Sequence, residues 1–415
     1  MGPPGRSVLG GTGRRSHSQA GGRRIEDTTS VATRQISVTI PARALASGPD
    51  GSYPIWIEPG SLDALGEMCA RHCPAHRYAL ISDSKVAALH APRALASLER
   101  AGLAADLFTF PAGEWNKTRQ SWANLSDEIL AEGYGRDSAV IALGGGVTGD
   151  LGGFVAATYM RGMPVVQVPT SLLAMLDSSV GGKTGIDTPA AKNCVGALHH
   201  PSFVLIDPEL LRTLPRHQRL AGLAEGVKAA AVADEHLFGW MESQSTALGD
   251  GDTDVLTELI HPAVTIKAGI VAEDPLEQGR RAILNFGHTV GHALESASEY
   301  GLLHGEAVAI GMRIEARMGE AAGSTAPGTA ERLDHLLNSL DIGYESATEH
   351  TGAELLRLAV SDKKARQGTV RWVFLQRIGC VAPEADGTYT QAIDSADSVD
   401  LLSDALRRLT FAADS

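Results

Sequence analysis

An α/β domain followed by an all-α domain is the fold class this sequence predicts, on three observations. Between Arg34 and Pro215, short apolar runs of strand character alternate with stretches of helical spacing. One of those strands, Ala139 to Leu143, passes directly into a glycine-rich turn and a helix of small residues, the build of a Rossmann-like nucleotide-binding unit. Beyond Pro215 the periodicity is mainly helical, over residues 219–248, 253–274, 281–299, 304–322, 329–340 and 353–361. The expected organisation is an N-terminal extension over 1–34, a nucleotide-binding α/β domain over 35–212 and a helical domain over 213–410, without internal repeats.

Residues 1–34 hold seven Gly, several Ser and Thr, and the pairs Arg14-Arg15 and Arg23-Arg24, a composition that predicts disorder. No apolar segment follows either Arg pair, as an export signal requires; the Arg and Ser bias leaves an organellar transit peptide as the alternative. QISVTIPA alternates as a strand and YPIWIEPG follows as another, while SLDALGEMCARH has helical spacing with Ser61 as its N-cap. RYALISDSKVAALH is a buried strand that ends at Ser82-Asp83-Ser84 and turns into a helix. An acid in that position suits a ribose hydroxyl, and equally a helix cap. DLFTFPAG is a further strand, and GEWNKT leads into the helix SWANLSDEILAEG.

After Ala139–Leu143 come Gly144-Gly145-Gly146, Gly149-Asp150 and Gly152-Gly153. The free N–H groups of the helix start suit a pyrophosphate, although the spacing is not G-x-G-x-x-G and close strand–helix packing explains the glycines equally well. PVVQVP is a strand ending before Thr170, a short helix carries Asp177, and Gly181 to Gly185 reads as a loop. Lys183 and Lys192, with Asn193, are expected in Gly- and Pro-rich turns; Gly-Gly-Lys-Thr lacks the upstream glycine of a P-loop. FVLIDPELLRTLP closes the strand-rich half.

At 415 residues the chain is long enough for a large core in two or three domains. Its net charge of −13 argues against nucleic acid or an anionic membrane as principal partner. No uncharged apolar run approaches the roughly 18 residues of a membrane span. Cys69, Cys73, Cys194 and Cys380 are too few for a disulfide framework and form no zinc-type quartet, so a reducing cytoplasm is expected.

In so acidic a protein, a local gathering of basic and imidazole groups needs a specific reason. Arg281, Asn285, His288 and His292 stand at offsets that, at about 100° per residue, fall within a sector of roughly 60° on one helix face. Burying four polar groups on one stripe is costly unless each finds a partner, so the stripe reads as a site, and His304 follows it in a turn. In LAGLAEGVKAAAV, Glu225 and Lys228 share a face of a largely apolar helix, where a carboxylate needs a partner such as a metal. Glu225 with two of His288, His292 and His304 makes a three-ligand site with an open position, as in catalytic zinc; spacing does not choose the pair. Lys183, Lys267, Arg281 and Lys363 are cations enough for a small substrate with two anionic groups.

The runs GGGVTGDLGGFVAATYMRG, VPTSLLAMLDSSVGGKTGID, LAGLAEGVK, RAILNFGHTVGHALE, LHGEAVAIGM and DKK resemble 3-dehydroquinate synthase and its relatives among the sugar phosphate cyclases, over residues 36–405. The resemblance implies an NAD-binding domain joined to a helical metal- and substrate-binding domain. It implies Glu225, His288 and His304 as ligands of zinc, with cobalt as a substitute, and His292 on the substrate. It implies NAD contacts from Asp83, Glu114, Lys117, the Gly144-Gly145-Gly146 turn, Gly149, Asp150, Thr170 and Lys192. Substrate contacts would come from Asp177, Lys183, Asn193, Lys228, Lys267, Glu277, Arg281, Asn285, His292 and Lys363, and Arg161 in YMRG looks like the arginine lent across a homodimer to the neighbour's substrate phosphate. The implied reaction converts 3-deoxy-D-arabino-heptulosonate 7-phosphate to 3-dehydroquinate, a step of the shikimate pathway to aromatic amino acids, with NAD recycled. Oxidation at C5, phosphate elimination, re-reduction, ring opening and an aldol closure follow one another.

Related cyclases, such as 2-epi-5-epi-valiolone synthase, act on sugar phosphates without a carboxylate. Lys228, Lys267, Arg281, Asn285 and His292 favour a carboxylate-bearing substrate, since an unpaired buried cation is costly. An aminodehydroquinate synthase would keep the same groups, and Thr148, Gly152, Met175 and IDTPAAKNCVGALHH depart from the usual family text. A metal-dependent alcohol dehydrogenase shares the architecture without needing this anion-binding set, and the intact metal set disfavours a non-catalytic binding protein.

Overall fold

Tyr78–Asp83 and Ala139–Gly144 are almost wholly apolar and buried, and such strands need cover on both faces, which a parallel sheet receives from its crossover helices. In a computed structural model describing residues 34–38, 52–189, 191–298, 301–343, 350–361 and 370–411, these two strands lie side by side in a seven-stranded sheet. The strands are β1 (Arg34–Val38), β2 (Tyr53–Ile57), β3 (Tyr78–Asp83), β4 (Ala105–Phe110), β5 (Ala139–Gly144), β6 (Val165–Pro169), β7 (Lys183–Thr188), β8 (Ala191–Leu198) and β9 (Phe203–Ile206). β7 and β8 pair with each other, and the rest run in the order β1-β2-β9-β6-β5-β3-β4, parallel except for β1. The helices of this half are α1 (Leu65–His72), α2 (Ser84–Arg100), α3 (Arg119–Ala131) and α4 (Gly146–Thr158).

Strand order reverses at β3, with β4 on one side and β5 on the other. The carboxyl ends of β3 and β5 therefore flank a topological switch point, the crevice where open α/β sheets bind ligands. Asp83 ends β3 and the glycine turn ends β5, so chain topology brings both to that crevice. The small residues of α4 have a packing role as well: a Cβ on Gly152 would stand 3.1 Å from the Ala142 Cβ of β5.

Two local expectations are corrected in this half. Ser61 does not cap α1: Ser61–Ala64 is a 3-10 turn, and Asp207, just after β9, accepts from the N–H groups of Gly60 (2.8 Å) and Leu62 (3.1 Å) in its place. The turns expected around Lys183 and Lys192 are the hairpin β7–β8. Gly181 (φ 105°) and Gly182 (φ 69°) turn the chain before it, Lys183 opens β7, and Lys192 and Asn193 lie in β8.

The helical half comprises α5 (Arg216–Ala233), α6 (Glu235–Ser243), α7 (Ser245–Asp250), α8 (Thr253–Glu273), α9 (His288–Ala297), α10 (His304–Ala321), α11 (Thr329–Ser339), α12 (Gly352–Ser361) and α13 (Ser395–Phe411), with a short ladder of β10 (Arg371–Trp372) and β11 (Gln391–Ala392). Residues 219–248 are not one helix, because Asp234 ends α5 and its side chain caps α6. Nor is 281–299: Arg280–Asn285 is a 3-10 turn and α9 starts at His288, after Gly287 takes φ 78° against α10. A Cβ on Gly287 would stand 2.7 Å from the Val308 carbonyl oxygen, so only glycine fits there. One apolar core runs from β2, β3 and β9 through α5, α8 and α10. α8, 21 residues long, is long and apolar enough to cross a membrane, yet half of its most apolar stretch is buried and its Lys267 meets Asp177. Lys363 and nearly all of the 1–34 extension lie outside the described residues.

Candidate active site

α5 is buried along most of its length, so Glu225 and Lys228, one turn apart and each 2% exposed, face protein rather than water. The Lys228 ammonium contacts Glu225 Oε2 and stands 3.6 Å from the Asp177 carboxylate. Glu225 Oε1 accepts no hydrogen bond among the described residues, yet lies 3.8 Å from His288 Nε2 and 3.6 Å from His304 Nε2. These two histidines are the first residues of α9 and α10. His288 Nδ1 is 3.2 Å from the Phe286 carbonyl oxygen, which can only accept, so the proton is assigned to Nδ1 and Nε2 is left bare in the neutral ring. His304 Nδ1 is 3.2 Å from Glu295 Oε2. Ring centroids of His288, His292 and His304 are 5.3 to 5.8 Å apart, with one nitrogen of each within 4.8 Å of the others. A buried carboxylate oxygen without a hydrogen bond, facing two imidazole nitrogens whose other nitrogens are held, fits a divalent cation.

Beside this cluster, Asp177 sits in the π-helical turn Ala174–Ser178. Its carboxylate meets Lys267 Nζ at 2.6 Å, and Lys267 also donates to the Asp177 carbonyl oxygen at 2.6 Å. Burial raises Asp177, but Lys228 and Lys267 more than reverse this and hold it far below the carboxylate range. For Lys267, burial lowers the ammonium, Asp177 resists, and Lys228 and Arg281 add to the fall, to about 8. Buried Arg281 donates to the carbonyls of Pro275 (2.9 Å) and Gly181 (3.3 Å). Lys183 contacts Glu277, whose other oxygen accepts from Asn285 Nδ2 at 2.8 Å. Glu277 adopts φ 56°, a left-handed backbone costing about 1–2 kcal/mol for a residue with a Cβ. Asp274 organises the loop by accepting from the N–H groups of Gln278, Gly279 and Arg281.

At the switch point, Lys117 pairs with Glu114 (2.9 Å), Asp150 (3.2 Å) and Asp187 (3.9 Å). Burial, opposed by Lys117 and aided by Glu114, lifts Asp150 to about 6. Lys192 lies 4.0 Å from Glu114 and 2.5 Å from Glu295, so alternating charges run from Asp150 through Lys117, Glu114, Lys192 and Glu295 to His304. Asp83 caps α2 through the Lys85 and Val86 amides, with Thr148 Oγ1 3.5 Å from its other oxygen. The Thr170 N–H donates to the Gly144 carbonyl, and a Cβ on Gly149 would stand 2.9 Å from Gln167 Oε1. Gly145 precedes α4, and neither it nor Gly146 supplies a side-chain cap, so the first N–H groups of a 13-residue helix are available at the crevice; this fits a dinucleotide pyrophosphate.

Asn193 (φ 50°) donates its N–H to Asp187. Arg161 joins none of these clusters; it is exposed, with φ 64° after Met160 at φ 50°, and makes no ion pair among the described residues. Sequence reading missed Glu295, Asp187 and Asp274. Glu295 had a signal, standing seven residues after His288 and three after His292 on one face of α9; the other two had none.

Comparison with known proteins gives the same picture. The family model described as 3-dehydroquinate synthase N-terminal matches residues 107–221, and the C-terminal one matches residues 222–365. The 3-dehydroquinate synthase of Symbiobacterium thermophilum is 46% identical over 80% of this chain and 94% of its own length. A 2-epi-5-epi-valiolone synthase structure from Streptomyces hygroscopicus subsp. jinggangensis, with NAD+ and Zn2+ bound, superposes with a TM-score of 0.77 at 26% identity, covering 89% of this chain and 99% of its own. A 2-deoxy-scyllo-inosose synthase structure reaches 0.78 at 24% identity, covering 90% and 99%, and shares the fold. Fold and site together define an enzyme of the phosphate-eliminating sugar phosphate cyclase class. Within that class the chain belongs to the 3-dehydroquinate synthase family.

Proposed function

We propose that this enzyme converts 3-deoxy-D-arabino-heptulosonate 7-phosphate to 3-dehydroquinate and phosphate, in the cytoplasm and as a homodimer. The observation that carries the reading is two gatherings of anion-binding side chains: Lys228 and Lys267, which meet Asp177 next to Glu225, with Arg281 near Lys267; and Lys183 and Asn285, which share Glu277. When bound, NAD+ takes and returns a hydride at C5 of the substrate, and a divalent metal, zinc or cobalt, acidifies the hydroxyl there. Relatives solved with NAD+ and Zn2+ or Co2+ support both groups.

Glu225, His288 and His304 hold the metal in this reading. Glu225 is preferred to His292 as third ligand because its Oε1 accepts no hydrogen bond among the described residues and lies in the desolvated centre, whereas His292 is only half-buried; in this reading His292 meets substrate. Gly145, Gly146 and Gly149 let the pyrophosphate approach α4, and Asp83, Glu114, Lys117, Asp150, Thr170 and Lys192 surround the rest of the dinucleotide. Lys267 and Arg281 take the substrate carboxylate; Asn193, Asn285, Lys363 and Arg161 from a second copy take the phosphate. Asp177 and Glu277 keep Lys228, Lys267 and Lys183 in place before substrate arrives, so much of the ordering cost is met in advance. Held this way, the substrate phosphate can serve as the base for its own elimination, and His292 and Lys228 border the reacting carbon.

Phosphate release by the purified protein with metal and catalytic NAD+ tests this, with the heptulosonate phosphate, its amino analogue and sedoheptulose 7-phosphate assayed in parallel. Preference for the last would sink the carboxylate assignment, and net accumulation of NADH would indicate a dehydrogenase.

A further inference from the structure

Helix α9 begins with His288 and lacks a side-chain cap of its own, since Gly287 occupies the cap position. Its first amides are instead satisfied from α10. Glu315, fully buried, accepts from the Gly287 N–H with Oε2 (2.8 Å) and from the Val290 N–H with Oε1 (3.2 Å). A carboxylate at the positive end of a helix is favoured, so part of its desolvation cost is offset.

The Gly287 N–H belongs to the same planar peptide unit as the Phe286 carbonyl, and that carbonyl accepts from His288 Nδ1. Glu315 therefore grips one end of a rigid peptide whose other end fixes the tautomer and plane of the His288 ring. Backbone packing closes the arrangement. A Cβ on Gly311 would stand 1.9 Å from the Gly287 carbonyl oxygen, and one on Gly291 would stand 3.0 Å from that of Ala307. The start of α9 cannot slide along α10 without losing both Glu315 bonds.

We infer that Glu315 is a positioning residue for the metal centre: through the Phe286–Gly287 peptide it presets His288, so that α10 carries one imidazole and fixes the placement of the other. α10 carries His304 as its own first residue and reaches His288 through Glu315, eleven residues later. The inference rests on the reading that Glu225, His288 and His304 hold the metal.

The test compares full-length wild type, Glu315→Gln, Glu315→Ala and His288→Ala by zinc affinity in chelator competition, by the visible spectrum of the cobalt form, and by melting of the metal-free proteins. Glutamine keeps the shape but only one acceptor oxygen. The expected result is zinc affinity at least about tenfold weaker in Glu315→Gln, as for outer-shell partners of metal-bound histidines, with an altered cobalt spectrum. Wild-type affinity and spectrum in that variant, or a lowered melting temperature alone, overturns the Glu315 inference and leaves the metal reading standing. Wild-type protein that binds no zinc overturns both. Should both Glu315 variants fail to fold, hydrogen exchange in metal-free wild type decides: the Gly287 and Val290 amides are expected to be protected already, and fast exchange that slows only on metal loading refutes presetting.

Discussion

Raising the pH from 7 to 9 is expected to remove one positive charge from the end of the site where Lys267 meets Asp177. Burial, with Lys228 and Arg281 nearby, brings Lys267 down to about 8 even against its contact with Asp177. A lysine shifted this way carries its charge below that value and loses it as pH rises through it, so the effect belongs to the alkaline side. At pH 7 the ammonium is roughly nine-tenths charged and at pH 9 roughly one-tenth. If Lys267 binds the substrate carboxylate, kcat/KM falls about tenfold across that interval, or about 1.4 kcal/mol of transition-state binding. The fall in kcat is smaller, because bound carboxylate stabilises the proton on Lys267. Lys267→Arg, charged throughout, is expected to lower the plateau and abolish the alkaline fall. Steady-state phosphate release between pH 6.5 and 9.5, with metal and NAD+ saturating, measures all three quantities. The same tenfold fall in Lys267→Arg would refute the argument.

His304→Ala is expected to lose the metal, whereas His292→Ala keeps it and loses turnover; equal metal loss in the two variants would show the ligand assignment to be wrong. Asp150, lifted to about 6, is neutral below that pH and ionised above it. NAD+ affinity is therefore expected to tighten as pH rises through 6 and to lose this inflection in Asp150→Asn, as read by calorimetric titration. If Arg161 serves a neighbouring protomer, mixing Arg161→Ala with His304→Ala protein restores activity in mixed dimers, since one site regains both groups. Mixtures no more active than their components would exclude a shared site.

The order of strands and helices was legible because burial on both faces demands near-continuous apolar runs, as in β3 and β5, and because buried helices keep a 3.6-residue period, as in α8 and α10. Glu225 and Lys228 were legible for the same reason: three residues apart in an apolar helix, they had to share a buried face. The hairpin β7–β8 was not, because its Gly, Ala, Asp and Asn residues carry little strand propensity and pairing across the hairpin decides its structure. The polar stripe from Arg281 to His292 was predicted as one helix face, yet the chain leaves helical geometry at Phe286-Gly287. Gly287 takes φ 78° there, where a Cβ would run into Val308 and Met312 of α10, so the room for that break is set by a different helix. Glu295 reaching His304 and Glu315 reaching the start of α9 share that origin. Spacing along one element determines which groups face the same way. What faces them is decided only when a second helix packs alongside and brings its own acids into hydrogen-bond range, and that is where the tertiary structure set the two imidazoles of this site.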